Sequence, residues 1–427
     1  MLFFVIILLV LLGASLFIRR SFVAPTFLMI LSYVIASFSI LMNSNNWHIH
    51  MNPNFYLYIL LFIFCWLLAS CIVRLSLNRL ELKSHRLPMT VRNAYPQKHF
   101  LLFFVLIFVI YLYMLFDRFR FDSLTNFIKS IYISDDYKYK FHFIKHQIEI
   151  FSEGLILVII FSIIREKFIS PNKHRKIASY IVLTILLSLT ILFLTTDRNK
   201  IIRLILYCWC EFLLFYQFYS KKSIHSANKK IFKYSLLLVI VFAFAFYGLG
   251  KIKGYTSNFE RMIGIYTGSG LYNFNLVLDS FDGSYEYGAQ TFHPFLSSLN
   301  AFFPIPTDLL TLKNNYGFII FGNDSYVYAS NIYAAITYYY ADFGVWGIIL
   351  FALFLGGFYE VLYQTAKKYK GGIVWVLYGF FIYPIFYLAI VEQFFFRFHL
   401  GLLYELFWLL LFYSIFNKRK RRLFVWR

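Results

Sequence analysis

The amino-acid sequence predicts an all-α, polytopic membrane protein with about 11 transmembrane helices and one large extracytoplasmic loop. Composition is the first reason: 60% of the residues are hydrophobic and only 14% charged, too apolar for a surface that water must solvate. Length is the second. The apolar residues come in blocks of roughly 17–22, enough to cross a ~30 Å hydrocarbon core at about 1.5 Å per residue. The third is the placement of the charges, which crowd into short segments between the blocks.

In chain order the spans fall at about 2–17, 22–42, 55–76, 99–116, 148–164, 177–195, 201–220, 234–250, 345–363, 373–390 and 400–416. Ile332–Tyr340 reads as a half-helix or re-entrant piece before the ninth span. Arg19 and Arg20 follow the first span instead of preceding it, which predicts an uncleaved anchor with its N-terminus outside and argues against an export signal. With that orientation the inner segments hold 27 of the 41 Lys and Arg but, of the twenty acids, only Glu81 and Glu166. The basic net charge is therefore a topology signal, and no nucleic-acid partner is expected. The segment 117–147, assigned outside, is the exception, with Arg118, Arg120, Lys129, Lys138, Lys140 and Lys145. Cys65, Cys71, Cys208 and Cys210 all lie within spans, and Cys208 and Cys210 point to roughly opposite helix faces. That pattern suits neither a shared metal nor a structural disulfide.

No internal repeat divides the chain, so 1–427 reads as a single membrane domain. The inner loops leave no room for a nucleotide-binding fold and carry no Gly-x-x-x-x-Gly-Lys phosphate loop, which argues against an ATP-driven pump. The outer loop, 251–344, is the opposite: long, and rich in Tyr, Phe, Asn, Asp and Ser. Within it Asn258–Phe281 reads as an amphipathic helix interrupted at Gly268-Ser269-Gly270, Thr291–Asn315 as a Pro-broken stretch along the membrane surface, and Tyr316–Tyr328 as extended or irregular. Loops of this length usually bind or catalyse. Their aromatics suit the C–H faces of sugar rings; anchorage at lipid headgroups explains much of the same composition.

Four clusters carry candidate chemistry. In Thr195-Thr196-Asp197-Arg198-Asn199-Lys200, with Arg203 one turn later, three cations gather at the outer end of a helix. Charge, helix dipole and free N–H groups there suit a phosphate or pyrophosphate, while headgroup snorkelling is the plain alternative. Near the start of the loop lie Lys251, Lys253, Glu260 and Arg261, and His293 stands before Pro294 as the first candidate for general base. Asn331-Ile332-Tyr333 runs to Tyr338-Tyr339-Tyr340-Ala341-Asp342-Phe343-Gly344 and Gly347, where Asp342 is placed to cap a helix or to face a substrate hydroxyl. Glu392, Arg397 and His399, with Glu405 beyond them, form the fourth; Arg397 either joins Arg198 and Arg203 around one phosphate or pairs with Glu392 or Glu405. Glu211, deep in a span, is a cavity candidate, and Glu360 reads as an ordinary partner of Lys367 and Lys368. His142, His146 and Glu149 have the spacing of metal ligands on one helical face, but an interfacial amphipathic piece gives the same pattern, and no metal or other cofactor is expected.

With these residues in view, the chain resembles the Wzy-type oligosaccharide repeat-unit polymerases of bacterial O-antigen and capsule synthesis. Thr195-Thr196-Asp197-Arg198 is similar to that family's hydroxyl-rich turn ending in arginine, with Asp197 where a glycine is expected. Asn331 through Tyr340, then Asp342-Phe343-Gly344 and Gly347, resembles its Asn…Tyr-x-Asp-Phe-Gly-x-x-Gly signature. The resemblance implies glycosyl transfer at the outer face of the bacterial cytoplasmic (inner) membrane. A glycan on polyprenyl pyrophosphate would move to the non-reducing end of an incoming lipid-linked repeat unit, without nucleotide sugar or metal. In that scheme Arg198, Arg203 and Arg261 would stabilise the leaving pyrophosphate, Lys200, Arg397, Asn331 and Tyr340 would contact substrate, and His293 or Asp342 would act as base. A chain-length regulator and a flippase of the same pathway are the implied partners. An O-antigen ligase or a flippase for lipid-linked oligosaccharide are the rival readings. The Asp-Phe-Gly signature tilts away from the first, and the scarcity of mid-membrane ionisable groups from the second.

Overall fold

The computed structural model describes residues 1–79, 98–118, 141–169, 178–195, 197–219, 233, 247–248, 259–300, 302–310, 317–323 and 326–416. Nearly all of the predicted span 234–250, most of the segment 117–147, and Lys251, Lys253 and Thr196 lie outside these residues. Among the described residues, seven helices are long and apolar enough to cross a membrane, and three shorter apolar helices accompany them. The chain is an all-α, multi-pass membrane protein. Ten of the eleven predicted spans coincide with these helices. Where the sequence shows no internal boundary, the chain folds as two compact units.

The first unit comprises 1–84, 257–368 and 381–402. Its helices are α1 (Leu2–Arg19), α2 (Pro25–Met42), the short α3 (Ser44–Trp47), α4 (Pro53–Arg79), and others introduced below. Pro25 opens α2 at a position where its missing N–H costs nothing. Rows of aromatic side chains join α4 to the long helix Ala335–Lys368: Phe62 stacks on Tyr339 with centroids 6.3 Å apart and Trp66 on Tyr359 at 5.8 Å. A Cβ at Gly356 would stand 2.7 Å from the Trp66 carbonyl, so this glycine is what lets the two backbones approach. At one end of the same unit Arg19 bonds Glu360 at 2.7 Å, in place of the lysine partners expected for Glu360.

Phe259–Ser280 forms one uninterrupted helix, not the broken helix expected at Gly268-Ser269-Gly270. These glycines serve close packing: a Cβ at Gly268 would lie 2.8 Å from Ser39 Oγ, and one at Gly270 would collide with the Ile390 carbonyl. The stretch expected to be extended forms a hairpin, Ile319–Asn323 paired antiparallel with Tyr326–Ser330. Its inner face buries Phe321 and Tyr328, stacked 5.8 Å apart, against Trp47 and Tyr272.

The second unit comprises 85–256, 369–380 and 403–427. Its described helices include α5 (Lys98–Arg118), α6 (His142–Ile169), α7 (Ser179–Leu194) and α8 (Arg198–Tyr219). The helix α6 begins six residues before the predicted span at 148, which carries Lys145 and His146 into the helix. Continuing in chain order, α9 is Phe259–Ser280, α10 His293–Asn300, α11 Thr307–Leu310, α12 Ala335–Lys368, α13 Ile373–Tyr387 and α14 Leu400–Phe416; the hairpin strands are β1 and β2.

Candidate functional site

In the first unit the Asp342-Phe343-Gly344-x-x-Gly347 stretch lies on a break within α12. Gly344 has φ 59°, ψ −142°, which divides a short helical segment, 335–343, from the long one that follows. A side chain is excluded twice over, by the positive φ and because a Cβ would sit 2.7 Å from the Tyr285 hydroxyl. At Gly347 a Cβ would strike the Tyr339 carbonyl, so the second glycine lets the broken ends pack closely. Carbonyls at the end of a helical segment need outside donors. Glu286 N–H donates to Ala341 O at 3.2 Å and Tyr287 N–H to Asp342 O at 3.1 Å.

Asp342 itself is completely buried. Its Oδ1 accepts from the Gln290 N–H at 3.0 Å and its Oδ2 from the Thr291 N–H at 2.7 Å. Both oxygens are thus engaged in fixing the loop 286–292, and the carboxylate is closed to a substrate hydroxyl. Two residues beyond Thr291, His293 opens α10 with its imidazole half-exposed. Between them the Phe292 ring anchors the loop against Phe351 and Phe395, 5.9 and 5.2 Å away. Of the two candidate bases, then, only His293 has access to solvent.

Asn331 is exposed in the link from β2 to α12. That link is held by the Asn273 side chain, which donates to Ile332 O at 2.8 Å, and by Ala334 N–H to Gly270 O at 3.0 Å. Tyr340 is half-buried among Tyr58, Phe274 and Phe281, with centroids 5.5, 6.1 and 5.2 Å away. Arg261 lies exposed near the start of α9; it donates to the Val327 carbonyl and covers the Tyr328 ring at 4.6 Å. Arg397 closes a short 3-10 turn, Phe395–Arg397, and is buried. The neighbouring Glu392 is fully buried; its oxygens accept from the N–H groups of Phe394, Phe395 and Phe396 at 2.9–3.0 Å and from the Tyr339 hydroxyl at 3.3 Å. Burial lifts the Glu392 carboxyl to about 7, against the opposing pull of those backbone donors.

In the second unit, Arg198 is the first residue of α8. Asp197, where a glycine was expected, accepts the Asn199 N–H at 2.8 Å, the N-cap bond that ends a helix well. Lys200 and Arg203 are buried and already ion-paired: Lys200 Nζ meets Glu149 Oε2 at 2.8 Å, and Arg203 meets Glu153 at 2.6 Å and Glu405 at 3.0 Å. Lys145 adds a contact of 3.3 Å to Glu149. Three cations thus face three carboxylates. Glu405 is a partner of Arg203, a pairing the sequence reading did not weigh.

His142 and His146 stack 6.1 Å apart, and Glu149 bonds lysines and the Tyr111 hydroxyl, so this face holds an ion-pair cluster; among the described residues no group of three His, Cys, Asp or Glu is placed to hold a metal. Sequence reasoning missed Glu153, and saw Glu149 only as a metal ligand. The signal was present: Glu149 and Glu153 at i, i+4 match Lys200 and Arg203 at i, i+3 as two facing ladders.

Comparison with family models, with curated proteins and with solved structures finds no match for this chain.

Proposed function

We propose that the protein polymerises polyprenyl-pyrophosphate-linked oligosaccharide repeat units at the outer face of the bacterial cytoplasmic membrane. The observation that carries this reading is the broken helix α12, whose Asp342 clamps a loop by two backbone bonds and so presents the half-exposed His293 beside it. In the proposed reaction the His293 imidazole removes the proton from the acceptor sugar hydroxyl as that oxygen attacks the anomeric carbon of the donor, and the bond to pyrophosphate breaks. Asp342 is then a positioning residue. The leaving pyrophosphate needs cationic stabilisation. Lys200 and Arg203 are neutralised by Glu149, Glu153 and Glu405; Arg198, the first residue of α8, is the cation put forward for this role on the sequence alone.

The test is Arg198→Ala in the producing cell, at normal membrane levels, with the surface glycan separated by size. Loss of long polymer with persistence of single capped units supports polymerisation and the pyrophosphate role. Unchanged polymer removes Arg198 from the site, and disappearance of single units from the surface as well favours a flippase.

A further inference from the structure

The loop clamped by Asp342 is buried at every position from Glu286 to Thr291 but one. Tyr287 is 77% exposed. Its backbone sits in the left-handed region, φ 47°, which residues with a Cβ disfavour and bulky ones most of all. The next residue, Gly288, has φ 97°, so the chain turns sharply at this point. Hydrogen bonds hold the turn, among them Glu286 N–H to Ala341 O, Tyr287 N–H to Asp342 O, Ala289 N–H to Glu286 O, Phe292 N–H to Gly288 O, and the two N–H groups received by Asp342 Oδ1 and Oδ2. The ring they present stacks on no other aromatic, and its hydroxyl meets no partner, among the described residues.

We propose that Tyr287 is the platform on which a pyranose ring of the glycan stacks, a specificity-determining contact on the same loop as His293. The proposal rests on the polymerase reading. The C–H face of a sugar carries partial positive charge toward the negative face of an aromatic ring. A ring fixed in place by its backbone loses little freedom on binding, which favours affinity. A headgroup anchor needs neither feature, since any exposed aromatic at the interface serves and glycine or asparagine would relieve the backbone. Here a disfavoured conformation, held by a network of hydrogen bonds, presents one exposed ring.

That conformation also supplies the control. Tyr287→Gly and Tyr287→Asn both suit a positive φ, so they remove the ring without straining the loop. Tyr287→Phe and Tyr287→Trp keep an aromatic face. In the producing cell, the first two variants are expected to lower the yield of long surface polymer by about tenfold at normal membrane levels, and the second two to retain it. Full-length polymer from Tyr287→Gly overturns the stacking contact and leaves the ring as an interfacial anchor. Failure of Phe and Trp variants alongside Gly overturns it in favour of a role for the hydroxyl alone. His293→Ala, run in parallel, separates the two levels of argument. If His293→Ala loses polymer while Tyr287→Gly does not, only the stacking contact falls; if both make full-length polymer, the polymerase reading falls with it.

Discussion

Each compact unit holds a cluster of carboxylates in an apolar setting, and these two clusters are satisfied differently. In the first, Asp342 and Glu392 are met by backbone N–H groups, two and three respectively. In the second, Glu149, Glu153 and Glu405 are met by Lys145, Lys200 and Arg203. Dipoles fix geometry, because each N–H must point at its oxygen; opposite charges fix the composition of a cluster and tolerate looser directions. The first solution builds a rigid loop around His293. The second locks helices α6 and α8 together and leaves Lys145, Lys200 and Arg203 committed.

The contrast is most exposed at Arg203. Arg203→Ala removes the cation that the buried Glu153 and the partly buried Glu405 both contact, and the expected loss is about 3–5 kcal/mol, read as a lower thermal midpoint in detergent micelles. Arg203→Lys keeps the charge but not the two-armed contact and should fall between Ala and the native protein. If Arg203→Ala unfolds like the native chain, these ion pairs are not what holds the second unit.

Next in size is Gly344→Ala. The positive φ and the clash with Tyr285 together should destabilise the chain by about 2–4 kcal/mol. Adding Tyr285→Ala removes the clash but not the backbone strain, so the double variant should recover only part of the loss. Full recovery would mean that the break in α12 does not require a left-handed residue.

Asp342→Asn tests the dipole solution directly. An amide offers one accepting oxygen and sets an N–H₂ against a backbone donor, so about 1.5–3 kcal/mol should be lost. On the proposed function, long polymer should also fall while His293 remains in place. Native stability in this variant would make the clamp incidental.

The spans were readable because apolar length is a property of local sequence, and ten helices fell where the blocks did. The half-helix before Gly344 was readable too, since a polar stretch returns there to apolar residues. Gly268-Ser269-Gly270 misled: glycine marks a break or a close approach equally well, and only the presence of Ser39 and Ile390 opposite tells them apart. The same limit applies to Lys200 and Arg203. Their positions on the helix are local facts, but their neutralisation by Glu149, Glu153 and Glu405 arises when distant segments meet. Tyr287 had no signal at all, because its exposure and its φ depend on how the loop docks onto Ala341 and Asp342.

The smallest expected effect belongs to Glu392, and it has a sign. Burial raises its carboxyl from an ordinary value near 4.5 to about 7 in the folded protein. Between those values the folded chain binds more protons than the unfolded one, so stability falls as pH rises through that window. The contribution is complete below the unfolded value and lost once pH passes about 7. Between about pH 6 and pH 8 the change amounts to roughly 1 kcal/mol. Glu392→Gln cannot ionise, so the difference in thermal midpoint between native and variant protein should widen across that interval, in the variant's favour at the alkaline end. A constant difference would show that the three backbone donors outweigh burial and keep the carboxylate charged throughout, which would place Glu392 with Asp342 as a fixed clamp.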